Sequence, residues 1–207
     1  MQIVILADER QKAALTSKGI LPGADIKWIE DVSDFQNYFK ADAFIDLLFK
    51  KDDRRINMLQ QFLPKPVIIN SVENVLDDIY PSFVRINAWN SFLDSETVEG
   101  SASIETRDKA TELLALFNKK IEWLPDEPGF VTARVISMII NEAYISLEQG
   151  VSSKKDIDTA MKLGTNYPYG PFEWADKIGL RQIADLLNKL AELEPRYQPA
   201  PSLLAAL

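Results

Sequence analysis

The sequence predicts an α/β unit followed by an all-α unit, and three observations carry that prediction. Short apolar runs alternate with helical patterns through roughly the first ninety residues. The segment Pro125-Asp126-Glu127-Pro128-Gly129 then punctuates the chain. Beyond it, every periodic segment is helical. Strand and helix in alternation argue for a parallel sheet with crossover helices, which makes a Rossmann-like half the natural reading of the first part. The predicted domains are residues 1–125 and 126–207.

Gln2–Ala7 is an apolar run of strand length, followed by a polar-to-amphipathic helix over about Glu9–Lys18. Asp25–Ile29 and Ala43–Leu47 are the next strands. Asp52–Phe62 is helical, with Ile56, Leu59 and Phe62 on one face. Pro66–Ile69 and Phe83–Ile86 are further strands, with a helix expected over Val72–Ile79 between them. Lys109–Asn118 is helical and Lys120–Leu124 closes the sheet. After the Pro/Gly segment, Phe130–Gln149 is apolar around most of its circumference and must be buried, inside its domain or against another subunit. Gly150 ends it, and Ser153 caps the next helix with Asp156 three residues on. Gly164 is expected to close that helix, and Tyr167-Pro168-Tyr169-Gly170-Pro171 forms a rigid turn. Glu173–Ile178 and Gln182–Leu193 are the last helices, and the proline-containing end, Pro195–Leu207, is expected to wrap along a surface.

Composition narrows the function classes. The 207 residues carry 31 acidic and 23 basic side chains, a net charge of −8, which opposes binding to nucleic acid or to an anionic membrane surface. There is no cysteine, so thiolate chemistry is excluded, and no histidine, so the commonest general base near neutral pH is missing. A zinc site would need carboxylates alone, and no metal is expected. No apolar stretch is long enough to span a bilayer, and the N-terminal run lacks the charged start of a signal peptide. A cytoplasmic location is the expectation.

Residues 128–180 are the most informative stretch. They contain Pro-Gly-Phe-Val-Thr-Ala-Arg at 128–134, Asn141-Glu142-Ala143, Glu148-Gln149-Gly150-Val151, and Lys155-Asp156-Ile157-Asp158-Thr159-Ala160-Met161-Lys162-Leu163-Gly164. Tyr167-Pro168-Tyr169-Gly170-Pro171-Phe172-Glu173-Trp174-Ala175-Asp176-Lys177-Ile178-Gly179-Leu180 follows. This succession resembles the C-terminal domain of 3-hydroxyacyl-CoA dehydrogenases. The resemblance implies a Rossmann NAD domain joined to a helical domain that forms a homodimer interface, with the active site in the cleft between them. It also implies fatty acid metabolism, NAD as cofactor and an acyl-CoA-like ligand. The expected NAD domain is shortened here, and the helical hairpin that contacts acyl-CoA in the family has no obvious counterpart.

The chemistry implied by the resemblance is largely absent. A G-x-G-x-x-G cradle belongs between the first strand and helix, where glycines let backbone amides approach a pyrophosphate. That place reads Leu6-Ala7-Asp8-Glu9-Arg10-Gln11-Lys12, with Asp8 and Glu9 suited to capping the helix. Glu30 and Asp31, after the second strand, are the candidates for a ribose hydroxyl. The family's catalytic histidine sits in a segment resembling H-F-F-N-P, with V-E further on. Ile86-Asn87-Ala88-Trp89-Asn90-Ser91 and Val98-Glu99 fall in those places. Asn87 thus occupies the histidine position, Asn90 the asparagine and Glu99 the histidine's partner. An amide accepts no proton near neutral pH. Ala133 stands where the family has an asparagine, and Asn70-Ser71 where it has a polar turn reaching the active site.

Three readings follow. One is a catalytically silent member, a pseudoenzyme that binds a partner or metabolite. A second is an active oxidoreductase of altered mechanism, with Glu99 as base and a remodelled NAD site. The third is a structural or regulatory homodimer with no small ligand, its cleft filled by Trp89 and Phe92.

Overall fold

The computed structural model describes all 207 residues, and the chain divides into two compact units, Met1–Phe130 and Val131–Leu207. The first holds seven strands: β1 (Gln2–Leu6), β2 (Asp25–Ile29), β3 (Ala43–Asp46), β4 (Val67–Asn70), β5 (Val84–Ile86), β6 (Thr97–Ser101) and β7 (Lys120–Trp123). They form one sheet in the order β2-β1-β3-β4-β5-β6-β7. Every neighbouring pair is parallel except β5 and β6, which are antiparallel. Helices α1 (Glu9–Thr16), α2 (Asp53–Gln60) and α3 (Ile104–Ala115) belong to the same unit. The fold is Rossmann-like, as the strand–helix rhythm predicts.

Alternation along β1 builds both cores. Ile3 and Ile5 face one layer with Leu15 of α1 and with Ala110, Leu113 and Leu114 of α3. Val4 and Leu6 face the other, with Phe35, Phe44, Leu59, Phe62 and Phe83. Burial of each such side chain contributes about 1.5–3 kcal/mol. Phe44 and Phe62 stack with ring centroids 4.0 Å apart, which fixes α2 against β3. Because both faces of the strands are covered, they read as continuous apolar runs, and this made them easy to place.

β6 is not among the predicted strands. Its residues Thr-Val-Glu-Gly-Ser include two without strand preference, and pairing on both edges outweighs that weakness. Helix α3 also starts at Ile104, earlier than the expected Lys109. The helix expected over Val72–Ile79 reduces to a 3-10 turn at Leu76–Asp78. Its would-be helical carbonyls have other partners: the guanidinium of Arg85 donates to the carbonyls of Ser71 (3.2 Å) and Val72 (3.5 Å). The Leu76 amide donates to Asp126 Oδ2 at 2.8 Å, and the Gly129 amide to the Val72 carbonyl at 2.8 Å.

Arg85, in β5, is fully buried. Besides the two carbonyls, it donates through Nε to Asp126 Oδ1 and through Nη2 to the Glu127 carbonyl, both at 2.5 Å, and lies over the Phe130 ring at 4.1 Å. Burial pulls its pKa below the ordinary arginine value, against the pull of Asp126. With the Leu76–Asp126 and Gly129–Val72 bonds, this side chain ties residues 126–130 to the first unit. The first unit runs to Phe130, at the end of the Pro125–Gly129 segment at which the sequence is punctuated.

The second unit is helical: α4 (Thr132–Glu148), α5 (Lys154–Thr165), α6 (Pro171–Ile178), α7 (Leu180–Ala191) and the short α8 (Pro201–Leu204). Ser153 caps α5 through the Asp156 amide. Helix α5 runs past Gly164 and ends at Asn166, whose φ of 57° supplies the left-handed cap expected of the glycine. The Asp158 carboxylate accepts the Phe172 amide at 2.8 Å and caps α6, which begins with Pro171. A Cβ on Gly170 would lie 2.3 Å from Asp158 Oδ1, so only glycine admits that cap. Glu173 accepts from the Gly170 amide (3.0 Å) and from Lys162 (2.5 Å), joining α5 to α6. The C-terminal stretch is docked more firmly than a surface wrap. Asn141 of α4 donates to the Gln198 carbonyl and accepts from the Ala200 amide, while Tyr197, Ala200 and Leu203 are buried.

Replacing Arg85 with Ala removes the counter-charge of Asp126 and the guanidinium donor of the Ser71 and Glu127 carbonyls, leaving Asp126 with the Leu76 amide and Val72 with the Gly129 amide. Urea denaturation is expected to show a loss of about 3–5 kcal/mol. Gly170→Ala displaces the α6 cap, with an expected loss of about 1–3 kcal/mol by the same measurement.

Candidate active site

In an open α/β sheet, ligands bind beyond the carboxyl ends of the strands at the point where the strand order reverses. Here the order turns between β1 and β3, because β2 lies on one side of β1 and β3 on the other. Ala7 and Asp8 after β1 and Leu47 after β3 lie at that point, and Asn70 at the end of β4 and Asn87 after β5 lie further along the same edge.

The turn from β1 into α1 contains no residue with positive φ, so it has none of the backbone geometry of a glycine cradle. Asp8 is the helix cap: its carboxylate accepts the Gln11 amide at 2.8 Å, and Gln11 Oε1 accepts the Asp8 amide at 3.2 Å. This reciprocal capping box fills the helix N-terminus with the protein's own carboxylate. Gln11 goes further. It is buried, and its Nε2 crosses the turning point to donate to the Leu47 carbonyl at 2.8 Å. Glu9 adds a second negative charge and pairs with Lys12 at 2.7 Å. A diphosphate placed here would meet two carboxylates and find the Gln11 amide already engaged. These residues do not fit the pyrophosphate of NAD.

The same kind of stitch continues along the edge. Asn70 Nδ2 donates to the Leu47 carbonyl at 3.2 Å, and Asn70 Oδ1 accepts the Ala88 amide at 3.0 Å. Ser71 donates to the Asn74 carbonyl at 2.9 Å. Both residues of the strand-end turn thus serve the backbone. Asn87 is buried and donates through Nδ2 to Glu99 Oε2 at 3.1 Å, while its Oδ1 accepts the Trp89 amide at 3.3 Å. The Asn87 backbone amide donates to the Glu99 carbonyl at 3.0 Å, an extension of the antiparallel β5–β6 pairing. Asn87 and Glu99 are thus brought together, and the half-buried Asn90 lies close in sequence just beyond. Such a pair can accept and donate hydrogen bonds; the amide takes up no proton near neutral pH.

Asp31 caps the 3-10 turn at Val32–Tyr38 and accepts from the Ser33 amide (2.8 Å) and hydroxyl (2.5 Å). These bonds hold its carboxyl below the usual aspartate range. Glu30 is exposed. Ala133 is fully buried in α4, and Arg134 lies over the Tyr197 ring at 6.0 Å.

Sequence reasoning missed Gln11, Arg85 and the pair Asp46–Arg55. Asp46 ends β3 fully buried and is held by Arg55 of α2 through Nε (2.7 Å) and Nη2 (2.5 Å). Burial pushes its carboxyl up while Arg55 draws it down. One signal was present: Asp8 and Gln11 have the cap-to-third-residue spacing of a capping box. No group of acidic side chains is arranged to hold a metal ion, and no helix is long and apolar enough to cross a membrane.

Comparison with known proteins follows from this geometry. Residues 129–206 match the family model described as 3-hydroxyacyl-CoA dehydrogenase, C-terminal domain. The chain is similar to the 3-hydroxyadipyl-CoA dehydrogenase of Escherichia coli, 45% identical over 93 residues, covering 44% of this chain and 20% of the relative. It is also similar to the mitochondrial hydroxyacyl-coenzyme A dehydrogenase of Homo sapiens, 38% identical over 128 residues, covering 58% of this chain and 41% of the relative. The chain thus spans less than half the length of either curated relative. The crystal structure of (S)-3-hydroxybutyryl-CoA dehydrogenase from Ralstonia eutropha shares the fold, with a TM-score of 0.74 at 21% identity, covering 99% of this chain and 93% of that one.

Truncating Gln11 to Ala removes the bond to Leu47 and one half of the capping box. Chemical denaturation is expected to record a loss of about 1–3 kcal/mol, since a buried carbonyl loses a donor.

Proposed function

We propose that the chain, whose residues 129–206 match the 3-hydroxyacyl-CoA dehydrogenase C-terminal domain, is a silent member of that family, one that holds an acyl-type ligand without oxidising it. The observation that carries this reading is the Asp8–Gln11–Leu47 stitch, which fills the place of a cofactor diphosphate with the protein's own hydrogen bonds. Asn87 in place of the base supports it independently. Oxidation of a 3-hydroxyl needs a hydride acceptor and a proton acceptor; this edge has no cradle for the first, and Asn87 cannot serve as the second.

What remains at the site is a hydrogen-bonding pair. Asn87 is held by Glu99 and Trp89, and that pair would have to open for its amide to meet a carbonyl or hydroxyl of a bound acyl group. The family gives the ligand class, an acyl-CoA or a relative of it. Assembly as a homodimer through the helical unit is part of the same proposal, supported by Val131 and Val135, which leave apolar surface exposed at the start of α4.

Isothermal titration with NADH, alone and with acetoacetyl-CoA present, tests the reading. No NADH heat in either titration is expected. Saturable NADH binding would overturn it in favour of an oxidoreductase with Glu99 as base, and Glu99→Gln would then abolish turnover. A second variant separates the two losses. Asn87→His returns the family's base but leaves the Asp8–Gln11 stitch, so acetoacetyl-CoA-dependent NADH oxidation is expected to stay at background. Turnover in that variant would show that the cofactor binds despite the stitch.

A further inference from the structure

We propose that a pocket on the first unit, lined by Lys18, Lys119 and Lys120, binds the phosphate group of a small molecule. The pocket has a volume of about 430 Å3 and is also lined by Glu96, Ala115 and Asn118. It collects residues from the end of α1, the end of α3 and the start of β7, away from the stitched strand ends. Three lysines and one glutamate line it, in a chain whose net charge is −8.

The charges are unevenly compensated. Lys120 pairs with Glu96 at 2.6 Å, both side chains being largely exposed, so this pair is weakly held and easily exchanged. Lys18 has no carboxylate within ion-pair distance. Lys119 is the unusual member: the residue is 2% exposed, and its ammonium donates to the carbonyls of Leu93 (2.7 Å) and Ser95 (3.0 Å). Two carbonyl dipoles use two of its three donors and bring no counter-charge. Burying an ammonium is costly, and Asp94 compensates it without a direct ion pair, so an anion in the pocket would add to that compensation. Burial already pulls the Lys119 pKa below the ordinary lysine value, with Asp94 and Lys18 acting on it from nearby in opposite senses.

Three ammonium groups outnumber the carboxylates of Glu96 and Asp94, which favours an anion, and a phosphate offers acceptor oxygens to more than one lysine. Asn118 holds the wall of the pocket in place: its Nδ2 donates to the Lys18 carbonyl at 2.9 Å, and its φ of 54° closes the turn from α3 into β7. The bland alternative is that Lys119 only pins the turn at Leu93–Ser95 while Lys18 and Lys120 are solvated.

Amide NMR of the full chain titrated with inorganic phosphate, against chloride at matched ionic strength, separates the two. Saturable shifts at Asn118, Lys119 and Lys120 with phosphate alone are expected. The double variant Lys18→Ala/Lys120→Ala alters only exposed side chains and keeps the fold, which circular dichroism verifies. It should bind phosphate at least about tenfold more weakly. Shifts that fail to saturate, that chloride reproduces, or that persist undiminished in the double variant would overturn the proposal.

Discussion

A parallel sheet ends in backbone groups that its own ladder cannot pair, and everything about this site depends on how those groups are satisfied. In a nucleotide-binding fold the ligand and a glycine turn share that task. Here side-chain amides perform it. Gln11 and Asn70 both donate to the Leu47 carbonyl, Asn70 accepts from Ala88, and Asn87 is locked between Glu99 and Trp89. With these bonds made, these groups are satisfied by the protein itself. A ligand seeking the same groups would have to replace bonds already satisfied in a buried setting, where an unmade bond costs about 1–3 kcal/mol.

Arg85 is the second constraint. Its guanidinium gathers the turn after β4 and the loop Asp126–Phe130 around one strand, and it explains why a predicted helix is missing and why the first unit extends to Phe130. In the helical unit, the motif residues that carry the family resemblance have a plain structural task. Asp158, Gly170, Glu173 and Lys162 cap and join two helices. These bonds serve the helical unit's own fold.

Much of this was legible in the residues. The strands β1 to β5 and β7 emerged because continuous apolar runs of strand length have few other fates when both faces are buried. The absence of a glycine cradle and of any histidine could be read directly. What was illegible depends on distant partners. Nothing beside Arg85 in sequence announces Asp126, and β6 is a strand only because β5 and β7 flank it. Gln11 looked like an ordinary helix residue. Its reach to Leu47 is a tertiary fact, although the capping-box spacing from Asp8 hinted at half of its role.

The central claim is that the sheet edge is closed by its own side chains, and amide hydrogen exchange measures that closure most directly. The Gln11 and Ala88 backbone amides donate only to the side chains of Asp8 and Asn70. Closure predicts that both exchange slowly, near the rate set by global unfolding, and that saturating NADH leaves them unchanged. Fast exchange at these two amides, or protection that rises when NADH is added, would contradict it.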